Sequence, residues 1–215
     1  MISPASCREF ILSNTNVKSP PLVPELRLHL ARHAHDIFQN AHIFATGGLG
    51  ARPYWAYAWP GGQALARHIL DHPALVRGLS ILDLGAGSGI GGIAAMAAGA
   101  QAVLAADVDP LAACVVQMNA KVNGVVVDAT TDDLLGQDTA FDLIVVGDLV
   151  YEPELQDRVG AFITRHRQRG ISILYGDRTT ARRPPGRFTL LAQHRAPLTP
   201  AMDDDVSEDA RVWLL

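Results

Sequence analysis

The chain has 215 residues, 48% of them apolar, and a formal net charge of −4. That apolar content sustains one domain with a real core and excludes a disordered chain. The acidic balance argues against nucleic acid as a partner, since duplex binding needs a basic footprint. Cys7 and Cys114 are the only cysteines, too few for a disulfide framework or a zinc site; a reducing compartment fits them. The first 20 residues lack the apolar run of a signal peptide. Residues 84–106 carry no charge before Asp107, but they are rich in Gly and Ala. They read as a buried helix and strand rather than a membrane span.

In chain order, residues 1–23 read as loose, closed off by Pro20, Pro21 and Pro24. PELRLHLARHAHDIF, residues 24–38, reads as a helix with Leu26, Leu30 and Ile37 on one stripe. TGGLGARP breaks it. An aromatic loop, PYWAYAW, then leads into a helix over roughly residues 62–71. From Ser80 strands and helices alternate. SILDL, AVLAAD, VVVDA, FDLIVVGD and ISILYGD are apolar runs of the kind parallel strands require. Residues 89–99, PLAACVVQMNAKVN and PELQDRVGAFITRHRQ supply helices between them. This alternation implies a doubly wound α/β sheet. The tail, RFTLLAQHRA and ARVWLL, has no intervening helix and predicts a terminal antiparallel β-hairpin.

The stretch ILDLGAGSGIGG carries the chemistry. Gly87, Gly89 and Gly92 fit the dinucleotide pattern G-x-G-x-x-G, with Asp107 placed to take a ribose. Yet the strand ends at Leu84, and counting from there puts Ile90 where the third glycine belongs. The spacing from the strand end is Gly85, Gly87, Gly89, with Asp83 just before it. This D-L-G-x-G-x-G run resembles motif I of class I S-adenosylmethionine-dependent methyltransferases. That cofactor has an ammonium and a carboxylate instead of a pyrophosphate. Loop N–H groups suit the carboxylate and Asp83 the ammonium. Asp107 suits the ribose hydroxyls, and Asp132 and Asp133 suit the adenine amino group. The alternative is that Asp83 and Asp107 merely cap turns or helices.

GDLVYEPEL follows the fourth strand, whose C-terminal end lies beside the ligand crevice in such a sheet. Asp148 and Tyr151 therefore fall near the transferred methyl group. The absence of N-P-P-Y disfavours amino-methylating DNA enzymes and glutamine methyltransferases. The absence of a nearby cysteine disfavours cytosine C5 chemistry.

YWAYAWPGGQALARHILDHP, VRGLSILDLGAGSG, AADVDP and GDLVYEPEL together resemble the electron-transfer-flavoprotein β-subunit lysine methyltransferase family, over roughly residues 22–215. The resemblance implies a Rossmann-like seven-stranded sheet of order 3-2-1-4-5-7-6. The chain is expected to divide into an N-terminal extension and helix over residues 1–45 and a methyltransferase domain over 46–215. The resemblance maps an Asp-x-x-Tyr motif onto Asp148 and Tyr151 and places Trp59 against the cofactor. It implies S-adenosyl-L-methionine as cofactor and the flavoprotein β subunit as protein substrate; the charge balance and the lack of a targeting or membrane segment predict no nucleic acid or membrane partner and a cytoplasmic location. One departure stands out: the family usually reads G-D-P-G-R after strand five, and here Gly176-Asp177-Arg178-Thr179-Thr180 replaces it.

The reaction is an in-line displacement by a lysine nitrogen that must first lose a proton, against a reference pKa of about 10.4. An apolar, aromatic wall favours the neutral amine by desolvation; Trp55, Tyr57 and Tyr151 are candidates. Asp148 would orient the amine, and Glu152 would attract the incoming ammonium. The aromatic cluster Tyr54, Trp55, Tyr57 and Trp59 also reads as plain packing. His29, His33 and Asp36 read as an ordinary helix face rather than a metal site. Competing functions are a small-molecule N-methyltransferase, a ribosomal-protein lysine methyltransferase, a non-catalytic binding protein and a dinucleotide oxidoreductase.

Overall fold

The structure is a computed structural model and describes residues 4–33, 36–37, 52–178, 183, 186–197 and 207–215. Its centre is a seven-stranded sheet. Five parallel strands form it: β3 (Ser80–Leu84), β4 (Ala102–Ala106), β5 (Asp128–Thr130), β6 (Leu143–Gly147) and β7 (Ser172–Arg178). The last two, β8 (Thr189–Pro197) and β9 (Ser207–Leu214), make the antiparallel hairpin expected from the tail. The order is β5-β4-β3-β6-β7-β9-β8. Counted over this sheet alone it is 3-2-1-4-5-7-6.

Side chains alternate across the sheet, and the two faces bury different helices. Ile81, Val103, Val145 and Leu174 face α2 (Pro60–Asp71) and α3 (Ile90–Ala97). Leu82, Leu84, Ile144, Val146 and Ile173 face α5 (Pro153–Gln168). Helix α4 (Pro110–Val122) begins on Pro110, and the Asp109 carboxylate accepts from Leu111 N at 2.8 Å, capping it.

The N-terminal region corrects the sequence reading. Residues expected to be loose form α1 (Pro4–Asn14) and β1 (Thr15–Lys18). The stretch expected to be a helix instead contains β2 (Leu28–Ala31), paired antiparallel with β1 from Thr15↔Ala31 to Lys18↔Leu28. Leu26, Leu28 and Leu30 recur every second residue, which is a strand period. All four β2 residues are buried, and Asn119 of α4 accepts from His29 N at 2.7 Å. An N-terminal helix is present, but it is α1. His29 lies in the core with its Nδ1 3.3 Å from Thr15 Oγ1. Most of the expected break at TGGLGARP lies outside the described residues, as do Thr179 and Thr180.

Candidate active site

At the carboxyl end of β3 the chain turns through Gly85, Gly87 and Gly89, with φ of +66°, +51° and +76°. Side chains rarely adopt these left-handed values. A Cβ on Gly85 would also strike the Leu149 side chain. The loop closes largely on itself. Gly85 N donates to Ala106 O at 2.8 Å, Gly87 N to Asp107 Oδ2 at 2.9 Å, and Gly89 N to Ala86 O at 2.7 Å. These N–H groups are therefore engaged within the protein. The loop offers a smooth wall rather than the row of donors expected for a carboxylate.

Asp107 follows β4 and stands on that wall. Its Oδ1 accepts from Asp109 N at 3.0 Å, so both oxygens are anchored while second lone pairs stay open. Burial raises its pKa against the pull of these two amides. Val108, next in the chain, is 65% exposed despite being apolar. The sequence reading passed over it, although an apolar residue after a strand-end acid is a recognisable signal.

Asp83 sits deeper, 4% exposed. Its Oδ2 accepts from Gly92 N at 2.7 Å, in the first turn of α3, where the helix dipole favours an anion. Burial pushes it up to about 7, a shift that this hydrogen bond partly offsets.

Asp148 ends β6 with φ +48°, the one non-glycine residue with a positive φ among those described. This turn aims its carboxylate at the start of α2. Oδ2 accepts from Gly62 N at 3.0 Å. The approach requires three glycines. A Cβ on Gly61 would lie 2.7 Å from Asp148 Oδ2 and from the Gly176 carbonyl, and one on Gly147 would lie 3.1 Å from Gly62 Cα. A Cβ on Gly176 would overlap the Gly61 carbonyl. The Pro-Gly-Gly of the aromatic loop and the Gly-Asp ends of β6 and β7 thus form one packed unit. Asp148 Oδ1 is buried and has no hydrogen-bond partner among the described residues. Burial pushes Asp148 up to about 6, against the Gly62 amide and the Arg178 guanidinium.

Aromatic rings from the loop before α2 meet the ring of Tyr151, three residues after Asp148. Tyr151 is 48% exposed and its ring lies 4.8 Å from that of Tyr54. Tyr54 meets Trp59 at 5.7 Å, and Trp59 Nε1 donates to Tyr54 O at 2.9 Å. Trp55 and Tyr57, expected to line a substrate channel, are instead buried at 1% exposure each. They pack with Ile11 of α1 and Leu111 and Val115 of α4, and Tyr57 backs Trp59 at 5.4 Å. The hydrophobic interior behind the loop claims them, and the half-buried Tyr54 meets Tyr151 instead.

Charges complete the rim. Arg178 Nε lies 3.9 Å from Asp148 Oδ1, its Nη1 lies 3.4 Å from Glu208 Oε2, and its Cζ sits 5.8 Å from the Trp59 ring centre. Sequence reasoning marked Arg178 only as a departure from the family run. Its neighbour Asp177 is fully buried; it accepts from Trp213 Nε1 at 2.9 Å and pairs with Arg183 Nε at 2.8 Å. Glu152 is exposed beside Tyr151 at the start of α5. Asp132 is exposed and accepts from Thr130 Oγ1 at 2.8 Å. Asp133 pairs with Arg158 of α5 at 2.5 Å and accepts from Leu135 N, which turns it toward α5.

A family model described as ribosomal protein L11 methyltransferase (PrmA) matches residues 65–155. The chain is 38% identical to the electron transfer flavoprotein beta subunit lysine methyltransferase of Xenopus laevis, covering 97% of this chain and 87% of that one. It is 39% identical to the mouse protein of that name, covering 79% and 67%. Among solved structures, magnesium protoporphyrin IX methyltransferase from Synechocystis PCC 6803 superposes with a TM-score of 0.50 at 14% identity, covering 69% of this chain and 77% of that one.

Sheet order, glycine loop and strand-end acids define a class I S-adenosylmethionine-dependent methyltransferase. The chain belongs to the family of electron transfer flavoprotein beta subunit lysine methyltransferases. It is a protein-lysine methyltransferase. The residues fit the cofactor. A hydroxyl-bearing ligand suits the anchored carboxylate of Asp107, and the exposed Val108 offers a surface for a base. Among the described residues no helix is long and apolar enough to cross a membrane.

Proposed function

We propose that the protein substrate is the β subunit of electron transfer flavoprotein and that methyl transfer occurs at the mouth formed by Asp148, Tyr151 and Trp59. The single observation that supports the site is the buried Asp148 Oδ1, without a hydrogen-bond partner among the described residues, three positions before the exposed Tyr151. The substrate follows the relatives' names.

In this reading Gly85, Gly87, Gly89, Asp107, Asp132 and Val108 hold the cofactor, with Trp59 beside it and Asp83 supporting the loop from beneath α3. Asp133 acts there only if it leaves Arg158. When bound, S-adenosylmethionine supplies an activated methyl group. The chain's task is then alignment and proton management. Asp148 Oδ1 accepts a hydrogen bond from the lysine nitrogen and orients its lone pair. Tyr151 and Tyr54 wall the amine from water, and desolvation favours its neutral form. Most of the rate comes from positioning. Glu152 attracts the approaching ammonium. Trp55 and Tyr57 act as the support that holds Trp59 in place.

We divide the chain into an N-terminal unit, residues 1–45, and a methyltransferase domain, residues 46–215; the β1–β2 hairpin joins no strand of the large sheet, which supports this. The free thiols of Cys7 and Cys114 support a reducing compartment, and the reading places the protein in the cytoplasm.

The match to the ribosomal protein L11 methyltransferase model favours a second substrate. Incubating the protein with radiolabelled S-adenosylmethionine and either purified electron transfer flavoprotein or ribosomal protein L11 separates the two. Label on a lysine of the flavoprotein β subunit, absent with Asp148→Asn, supports the proposal. Label only on L11, or only in small molecules, overturns it.

A further inference from the structure

Asp148 poses a problem that its own chemistry does not solve. A carboxylate beside a lysine ammonium holds the proton in place, because opposite charges favour the charged form. The reaction needs the neutral amine. A cation nearby would oppose that hold, and Arg178 is such a cation.

Its placement is specific. Arg178 ends β7, beside the end of β6 that carries Asp148. Its Nε lies 3.9 Å from Asp148 Oδ1, too far for a hydrogen bond. The guanidinium is held instead by Glu208 of β9 at 3.4 Å and over the Trp59 ring at 5.8 Å, within cation–π range. Arg178 therefore brings positive charge to the carboxylate without occupying Oδ1. That oxygen is buried and has no hydrogen-bond partner among the described residues.

We propose that Arg178 is a positioning residue of the acceptor site: set between Asp148 and Trp59, its guanidinium counters the carboxylate's hold on the lysine proton and so favours the neutral amine. This rests on Asp148 facing the acceptor, as proposed above. Other charged groups packed around it are accounted for. Asp177 of β7 opposes the effect, but it is paired with Arg183 and bonded to Trp213. Arg211 of β9 lies opposite Asp177 in register. Tyr175 of β7 is buried, and burial raises its pKa, so it stays neutral. Glu208 neutralises part of the Arg178 charge, so Glu208 and Arg178 act in opposite directions.

The test is the pH dependence of kcat, which reports groups in the bound complex. Wild type, Arg178→Lys, Arg178→Gln and Glu208→Gln would be assayed from about pH 6 to about pH 9.5 with saturating S-adenosylmethionine and the flavoprotein β subunit. S-adenosylhomocysteine binding to each variant checks that the fold is intact. For Arg178→Gln the ascending limb should move alkaline by about one unit, with kcat near pH 7 falling about tenfold and recovering at high pH. KM should fall, because repulsion of the incoming ammonium is removed. Arg178→Lys should stay within about twofold of wild type, and Glu208→Gln should move the limb toward acid. An Arg178→Gln profile that superimposes on wild type overturns the proposal, as does an equal loss at every pH. A gain near neutral pH also overturns it, by showing that the guanidinium occupies the amine's place. Wild type that transfers no methyl to a β-subunit lysine overturns the substrate reading instead, and is seen separately.

Discussion

The carboxylate of Asp148 accepts a hydrogen bond from the backbone N–H of Gly62 at 3.0 Å, across 86 positions of sequence. This contact joins the strand end that carries the proposed acceptor site to the first turn of α2. An anion at that turn interacts favourably with the helix dipole. The same side chain thus holds a helix in place with one oxygen and offers the other to substrate.

Asp148→Asn retains an oxygen for Gly62 N–H but loses the charge. We expect kcat to fall about a hundredfold, the scale of a misaligned reacting group. S-adenosylhomocysteine affinity should stay within about threefold and the unfolding temperature near wild type. Calorimetry and melting curves distinguish this from misfolding; a matching collapse in affinity would place Asp148 in the cofactor site instead.

Asp107→Ala should raise the dissociation constant for S-adenosylhomocysteine about tenfold to a hundredfold, the loss of hydrogen bonds to a charged group. The same change frees Gly87 N, which Asp107 now holds at 2.9 Å. Unchanged affinity in titration calorimetry would remove Asp107 from the binding site.

Three carboxyls make cofactor-free stability depend on pH. Burial pushes Asp83 up to about 7 and Asp109 and Asp148 up to about 6. A carboxyl with a raised folded-state pKa contributes fully below its unfolded value, near the ordinary carboxylate pKa. That contribution is lost as pH rises through the folded value. The carboxyl contribution should therefore decline from pH 5 to pH 8, against a rise from His29, His68 and His166, whose pKa values burial lowers. Asp83→Asn keeps an acceptor for Gly92 N–H and should flatten the upper part of this decline. Melting curves of wild type and Asp83→Asn with the same pH dependence would contradict the burial argument.

Gly176→Ala would drive a methyl group into the Gly61 carbonyl and to 3.1 Å from Leu65 Cβ. The Gly61 backbone cannot yield cheaply, so destabilisation of about 1–3 kcal/mol is expected. Gly136→Ala, with nothing within 4 Å of the added carbon, should stay within about 0.5 kcal/mol. Denaturant unfolding of the pair checks the contrast.

The sequence by itself determined the parallel sheet, its terminal hairpin, and the acids at the ends of β3, β4 and β6. Those features are written locally: apolar runs are strand-length, glycines sit where backbone must turn, and an acid at a parallel strand's end lies in the crevice by topology. Tertiary structure decided the rest, because it depends on which distant surfaces meet. Leu28 and Leu30 became strand residues only through β1 and α4, since a short apolar run suits either helix or strand until it finds a partner. Trp55 and Tyr57 went inward because α1 and α4 bury them, while Tyr54, of the same cluster, stayed at the mouth. Asp133 turned to Arg158, a helix away. Arg178 reached Asp148, Glu208 and Trp59 from three other segments of the chain. No spacing along one segment encodes such a meeting; it arises when the sheet brings β6, β7 and β9 side by side.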